Sequence, residues 1–257
     1  MNTPRTLGLA GTEVGRIGLG TNRLTHSPGN VEFVRQAVAA GVGLIDTAHL
    51  YTGGQSEATL GDALSPVPDG CVVATKGGWN PGEGRPEVLR AQIEESLRRL
   101  QARTIQLYYL HRVHPDTPIE ESLGTIAECV DAGQIQHAGL SEVGIEEIER
   151  GRQIVPVAAV QNRYNLDERG WDDVVDYCER EGIVFVPFFP LRGLGRPGLA
   201  VIAERRGVTP AQIALAWLLK RSPVMLPIPG TLSLEHLKQN LAALEIELAD
   251  DEFETLS

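Results

Sequence analysis

Eight short apolar runs punctuate the chain, at residues 17–20, 43–46, 72–75, 107–110, 137–140, 158–161, 183–186 and 225–228. They are largely unbroken rather than alternating, the pattern of strands covered on both faces. Between them, apolar residues recur at three- and four-residue spacing: Val31, Val34 and Val38; Leu89, Ile93, Leu97 and Leu100; Ile119, Leu123, Ile126 and Val130. Such stripes mark helices with one buried face. Eight strands alternating with helices predict an α/β fold, a closed parallel (β/α)8 TIM barrel rather than a sandwich or a bundle. Residues 5–9 and 13–16 flank Ala10-Gly11-Thr12. They predict an N-terminal β-hairpin placed to close the bottom of the barrel. A Gly- and Pro-rich insertion at 188–198 follows the seventh run. Thr209 and Pro210 then read as the cap and first position of a helix over 210–220, and 250–256 as a short C-terminal helix. No linker or repeat interrupts residues 1–257, so a single barrel domain is expected; about 250 residues is the usual size for one.

Composition narrows the function classes. The formal net charge is −11, which disfavours nucleic acid and anionic membrane as partners. No run approaches the ~20 apolar residues of a membrane span, and Met1-Asn2-Thr3-Pro4-Arg5-Thr6 lacks the apolar core of a signal peptide. Cys71, Cys129 and Cys178 are odd in number and far apart, with no CxxC pair. Cys71 and Cys129 lie in apolar segments and are expected to pack as small hydrophobes. The expectation is a reduced, cytoplasmic protein, monomeric by default because no long apolar surface stripe is evident.

The candidate chemistry lies at the ends of the runs. Asp46 closes the second, Tyr51 follows one short loop later, Lys76 closes the third and His111 the fourth. In a parallel barrel these positions converge at the C-terminal mouth, where barrel enzymes carry their active sites. An acid, a phenol, an ammonium and an imidazole there make a proton-transfer site. Taken singly, each has a structural alternative: half-buried Tyr, structural Lys–Asp pair, satisfied polar His. His111 and His114 are three apart, but no third ligand accompanies them, so no metal is expected. Gly193-Leu194-Gly195-Arg196-Pro197-Gly198 matches GxGxxG in letters, yet it lies too late in the chain for a Rossmann domain. Together with Pro229-Gly230-Thr231-Leu232-Ser233 and a helix from about Leu234, it fits the phosphate clamp that barrels build after strands 7 and 8.

From about Arg5 to Leu256 the chain resembles the aldo-keto reductases. The resemblance is carried by Ile17-Gly18-Leu19-Gly20-Thr21, Asp46-Thr47-Ala48-His49-Leu50-Tyr51, Ser56-Glu57-Ala58-Thr59-Leu60-Gly61, Ala74-Thr75-Lys76 and Leu110-His111. It continues through Gly139-Leu140-Ser141-Glu142, Val160-Gln161-Asn162-Arg163-Tyr164-Asn165, Phe188-Phe189-Pro190-Leu191, Ile228-Pro229-Gly230, Glu235-His236-Leu237 and Gln239-Asn240. It implies a metal-free, NADP(H)-dependent reductase of aldehydes or ketones, with Asp46, Tyr51, Lys76 and His111 as the catalytic tetrad. Tyr51 would donate the proton, with Lys76 lowering a phenol pKa of about 10. Asp46 would hold Lys76, and His111 would orient the carbonyl. The implied cofactor contacts are Gly20, Thr21, Asn22 and Asp46; Ser141, Glu142 and Gln161 at the carboxamide; Phe188 as stacking ring; Leu191 and Gly193 near the pyrophosphate; and Gly230, Thr231, Ser233, His236, Gln239 and Asn240 toward the adenosine.

Some positions depart from the family. Glu142 stands where many members have Asn, and as a carboxylate it can only accept from the amide. Gly230, Leu232 and His236 supply no fixed positive charge for a 2′-phosphate, so NADP(H) is the first expectation and NAD(H) stays open. The loops at 77–85 and 112–117 are short, and the chain ends just after the last helix, which predicts an open, shallow pocket edged by His49, Leu50, Trp79 and Arg112. Two other readings stay open: a cofactor-binding regulator of the same fold with little turnover, and a Schiff-base enzyme with Lys76 as nucleophile.

Overall fold

Strands β1 (Thr6–Leu9) and β2 (Thr12–Gly15) form an antiparallel hairpin. Its two turn residues, Ala10 and Gly11, both have positive φ, 50° and 73°, the turn whose twist matches paired strands. In this computed structural model residues 4–257 are described; residues 1–3 of the expected domain lie outside them. Seven parallel strands follow: β3 (Leu19–Gly20), β4 (Leu44–Asp46), β5 (Val72–Gly77), β6 (Ile105–Leu110), β7 (Ile135–Ser141), β8 (Val157–Gln161) and β9 (Val184–Phe185). They pair strictly in chain order.

The eighth stave, residues 224–230, closes the ring without becoming the regular strand expected at 225–228. The Phe185 N–H donates to the Val224 carbonyl and the Leu226 N–H to the Phe185 carbonyl, both at 2.9 Å. On the other side, Gly18 and Gly20 donate to the carbonyls of Pro227 and Pro229 at 2.9 and 3.3 Å. Pro227 and Pro229 can accept but have no N–H to donate, so pairing is reduced to the single bridges Phe185–Met225 and Gly20–Gly230.

Helices α1 (Pro28–Ala39), α2 (Gln55–Leu64), α3 (Pro86–Arg99), α4 (Ile119–Asp131), α5 (Ile145–Arg152), α6 (Asp172–Glu181), α7 (Leu199–Arg206), α8 (Pro210–Arg221), α9 (Leu234–Ala242) and α10 (Asp250–Leu256) complete the fold. Local chemistry fixes several starts. Ser27 caps α1 by accepting from the Asn30 N–H at 3.2 Å, with Pro28 behind it. Thr209 and Gln212 form a reciprocal capping box at α8. Among the described residues no helix is long and apolar enough to cross a membrane.

Two apolar cores result. The larger lies between staves and helices and includes Ile45, Val73, Tyr108, Leu110 and Val160 from the strands, with Val34, Leu60, Ile93 and Ile126 from the helices. It also takes in the three cysteines, all free thiols. The smaller core fills the barrel with Leu44, Val72, Ala74, Leu107, Tyr109, Ala159, Val184, Val186, Leu226 and Ile228. Leu9, Ala10 and Val14 of the hairpin join this inner set, so the hairpin plugs the lower end. Alternate residues of each stave therefore face inward.

The helical layer is packed tightly enough to override local propensity at Gly61 in α2. A Cβ there would lie 2.3 Å from the Arg99 carbonyl oxygen at the end of α3. Helix propensity alone favours Gly61→Ala by about 0.5–1 kcal/mol, whereas the backbone clash costs about 1–3 kcal/mol. We expect this substitution to lower the urea midpoint; an unchanged or raised midpoint would show that α2 and α3 can separate freely.

Candidate active site

The inward-facing column of each stave turns from apolar to polar at its C-terminal end. Leu44 is followed by Asp46, Val72 and Ala74 by Lys76, Leu107 and Tyr109 by His111, and Ala159 by Gln161. Asp46 and Lys76 meet as a buried ion pair, Nζ to Oδ1 2.6 Å. The other Asp46 oxygen accepts from the Gln161 amide at 2.8 Å. Lys76 Nζ also reaches the Thr47 carbonyl at 2.7 Å and the Tyr51 hydroxyl at 3.3 Å. An ammonium has three protons, and here each has its own acceptor.

Tyr51 is held on a tight turn, residues Tyr51–Gly54, in which Thr52 and Gly53 have φ of 50° and 64°. The Thr52 hydroxyl ties this turn to the Leu24 carbonyl at 2.8 Å and receives the Ser56 N–H at 3.1 Å. Behind it, the buried Glu57 carboxylate accepts from the Thr75 hydroxyl at 2.6 Å and from Arg99 at 3.2 Å, and Arg99 also holds the His49 carbonyl at 2.9 Å. The His111 ring packs 4.6 Å from Trp79 and 6.1 Å from Tyr51, between centroids.

Burial dominates the electrostatics. It pushes the Tyr51 phenol above its ordinary value, because the pull of Lys76 in the other direction is smaller. The lowering expected from Lys76 is therefore present but outweighed, and Tyr51 keeps its proton at neutral pH. Burial likewise raises the Asp46 carboxyl, with Lys76 and Gln161 opposing. For Lys76 burial works against the ammonium, but the combined attraction of Asp46 and Tyr51 lifts it above its usual value. Burial, reinforced by Lys76 and Arg112, holds His111 down at about 2, so the imidazole is neutral.

A cavity of about 630 Å³ opens over these groups, within the usual range for small-molecule sites. A chain with this site also matches the model of the aldo/keto reductase family over residues 16–196 and 195–257. The chain belongs to the aldo/keto reductase family. It is 38% identical to an uncharacterized oxidoreductase of Schizosaccharomyces pombe, over 95% of this chain and 86% of that protein. It is 34% identical to pyridoxine 4-dehydrogenase of Escherichia coli, over 98% and 96%. A thermostable aldo-keto reductase solved with the inhibitor epalrestat superposes with a TM-score of 0.89 at 30% identity, covering 98% of both chains. An aldo/keto reductase from Klebsiella pneumoniae solved with NADP and acetate gives 0.88 at 28% identity, over 98% and 94%.

In this aldo/keto reductase the cavity is lined by Asp46, Tyr51 and His111, with Lys76 buried directly beneath. Of the expected cofactor residues, Gly20, Thr21, Asn22, Ser141, Gln161, Phe188, Leu191 and Gly230 line it as well. Leu50, Trp79 and Arg112 edge it, but His49 does not: its ring nitrogen lies 3.3 Å from Arg99, turned toward the helices. Glu142 is absent from the lining as well. Its Oε1 accepts from the Arg163 backbone N–H at 2.5 Å, and its backbone has φ 55°, a conformation Asn adopts more readily than Glu. Gly193 is absent from the lining, with φ 84° and Asp167 in the space a Cβ would need. Toward the expected adenosine end, the Ser233 hydroxyl caps α9, the Thr231 hydroxyl receives the Ser233 N–H, and Gln239 donates to Glu235. None of these, nor His236 or Asn240, reaches the cavity lining. Sequence reasoning named none of Arg23, Arg163, Phe189 and Arg192 as site residues, although they line the cavity and Arg163 and Phe189 stand within the motifs that carry the resemblance.

Two outcomes follow from the burial. Lys76→Met leaves a carboxylate buried with one amide for company and is expected to cost about 3–5 kcal/mol in urea unfolding; a cost under about 1 kcal/mol would show that the pair is solvated. His111 takes up no proton in the folded state until about pH 2, whereas an unfolded imidazole does so near 6.5. The unfolded state thus binds more protons between these values, so stability falls as pH drops from 6.5 toward 2. The His111 ring resonances in NMR should stay constant across about pH 5 to 8; a titration there would refute the neutral assignment.

Proposed function

We propose that this aldo/keto reductase reduces an aldehyde or ketone to the alcohol with NADP(H), Tyr51 acting as proton donor. The observation that carries this reading is the hydrogen-bond count at Lys76. Its three protons go to Asp46, Thr47 and Tyr51, so the Tyr51 oxygen accepts and its own proton is left for the cavity. Tyr51 is protonated at neutral pH, the form a donor needs. As the proton leaves, negative charge develops on the phenol beside the Lys76 ammonium, which stabilises it there. Asp46, fixed by Gln161, keeps Lys76 charged and aimed. The neutral His111 can donate one hydrogen bond to a carbonyl oxygen placed beside Tyr51, orienting it without adding charge.

The donor set fits a nicotinamide cofactor. Asn22 and Ser141 line the cavity with polar side chains, and Phe188 presents an aromatic ring. These residues would hold NADPH, which supplies the hydride when bound. The Klebsiella pneumoniae structures hold NADP or NADPH, and the Escherichia coli relative is named a dehydrogenase of pyridoxine; both support the reading. Leu232 and His236, exposed beyond Gly230, carry no fixed positive charge, so NADH belongs in the same assay.

The test is loss of cofactor absorbance on mixing the protein with NADPH, or NADH, and a panel of aldehydes. Tyr51→Phe should lower kcat by about 10²–10⁴-fold while NADPH binding, followed by fluorescence, is retained. Full activity in that variant would remove Tyr51 from the role.

A further inference from the structure

Among the described residues the cavity lining has one acidic side chain, Asp46, which Lys76 neutralises, and four arginines: Arg23, Arg112, Arg163, which pairs with Glu168 at 3.2 Å, and Arg192. The chain as a whole carries −11. A positive cleft in an acidic protein concentrates anions where the rest of the surface repels them. The four arginines are not equivalent. Arg163 lies over Phe188 and Phe189, at 5.7 and 5.3 Å from their ring centroids, and Arg192 over Phe189 at 5.7 Å. Arg23 follows Asn22. These three flank the residues assigned above to the cofactor.

Arg112 lies beside the proton-transfer groups, with Glu142 between it and the Arg163 backbone N–H. Its guanidinium lies 4.5 Å from the Trp79 ring, and Trp79 in turn packs 4.6 Å from His111. It is also near enough to Tyr51 and His111 to act on both electrostatically. Its acidic neighbour, Glu142, is 3.9 Å away and has one oxygen committed to the Arg163 N–H. One Arg112 nitrogen makes a long contact of 3.4 Å to the His111 carbonyl; Nε and Nη2 have no hydrogen-bond partner among the described residues. A half-buried guanidinium braced on an indole, with two donors side by side and uncommitted, is built to receive a planar anion in a forked hydrogen bond.

We propose that the substrate of this reductase carries a carboxylate separate from its reducible carbonyl, and that Arg112, braced on Trp79, receives it. The inference rests on the carbonyl-reductase reading and adds the substrate class to it. The carbonyl is placed at Tyr51 and His111; the carboxylate reaches outward past Trp79 to Arg112.

The test compares 3- and 4-carboxybenzaldehyde with their methyl esters, which keep the aldehyde and ring but remove the charge. Wild-type kcat/KM should favour the better acid over its ester by about 10- to 100-fold, the worth of one charge-assisted hydrogen bond pair. That preference should shrink as salt rises. In Arg112→Gln the acid-to-ester ratio should collapse toward one, and Arg112→Lys should recover part of it; the ratio cancels any effect of Arg112 on the chemical step. NADPH affinity of Arg112→Gln should stay at the wild-type level. Equal rates for acid and ester in the wild type would overturn the proposal, as would an undiminished ratio in Arg112→Gln. Loss of NADPH affinity in Arg112→Gln in step with the ratio would also overturn it, by assigning the arginine to the cofactor. If neither acids nor esters oxidise the cofactor, carbonyl reduction itself fails, and the proposal falls with it.

Discussion

In a closed parallel barrel only alternate residues of each stave point inward, and the whole site depends on that parity. The inward columns are apolar at the bottom, where Leu9 and Val14 of the hairpin meet them, and polar at the top. Asp46, Lys76, His111 and Gln161 are each the next inward position above a core residue. A one-residue slip in β5 would turn Lys76 outward and bring Thr75, now bonded to Glu57 in the helical layer, into the barrel. Gly18 helps to keep the register tight: a Cβ there would lie 2.8 Å from the Leu44 carbonyl oxygen. Packing below thereby fixes chemistry above.

The second constraint is the burial of Lys76. An ammonium inside a barrel is tolerated because every one of its protons finds an oxygen and one of its partners is a carboxylate. The same arrangement decides which way the Tyr51 proton points, and it reinforces the burial that keeps His111 neutral. Among the described residues the one acid in the lining is already neutralised, and four arginines, one of them paired with Glu168, face the cavity above the pair. Stability and reactivity at this mouth thus share one set of hydrogen bonds.

Much of this was legible in the chain. Short apolar runs marked the staves, and the polar residues ending them marked the mouth, because parallel strands deliver their C-terminal ends to one place. Ser233, Thr209 and Pro210 announced their helices through capping chemistry that is local by nature. The eighth stave was found but misjudged as a regular strand, although Pro227 stood in the run and Pro229 directly after it. His49 was expected at the pocket edge, and Glu142 at the site through the family resemblance. Neither lines the cavity, because Arg99 holds His49 and the Arg163 N–H holds Glu142, and both partners lie far along the chain.

By itself, the sequence determined the alternation of strand and helix, the hairpin, the caps and the places of Asp46, Lys76 and His111 at stave ends, since each depends on spacing along one segment. Only the tertiary structure decided which acceptors share the Lys76 protons, how far burial outweighs Lys76 at Tyr51, and that four arginines from separate loops face one cavity in an acidic protein. Those are properties of distance and solvent exclusion between segments remote in sequence, and they exist only once the ring is closed.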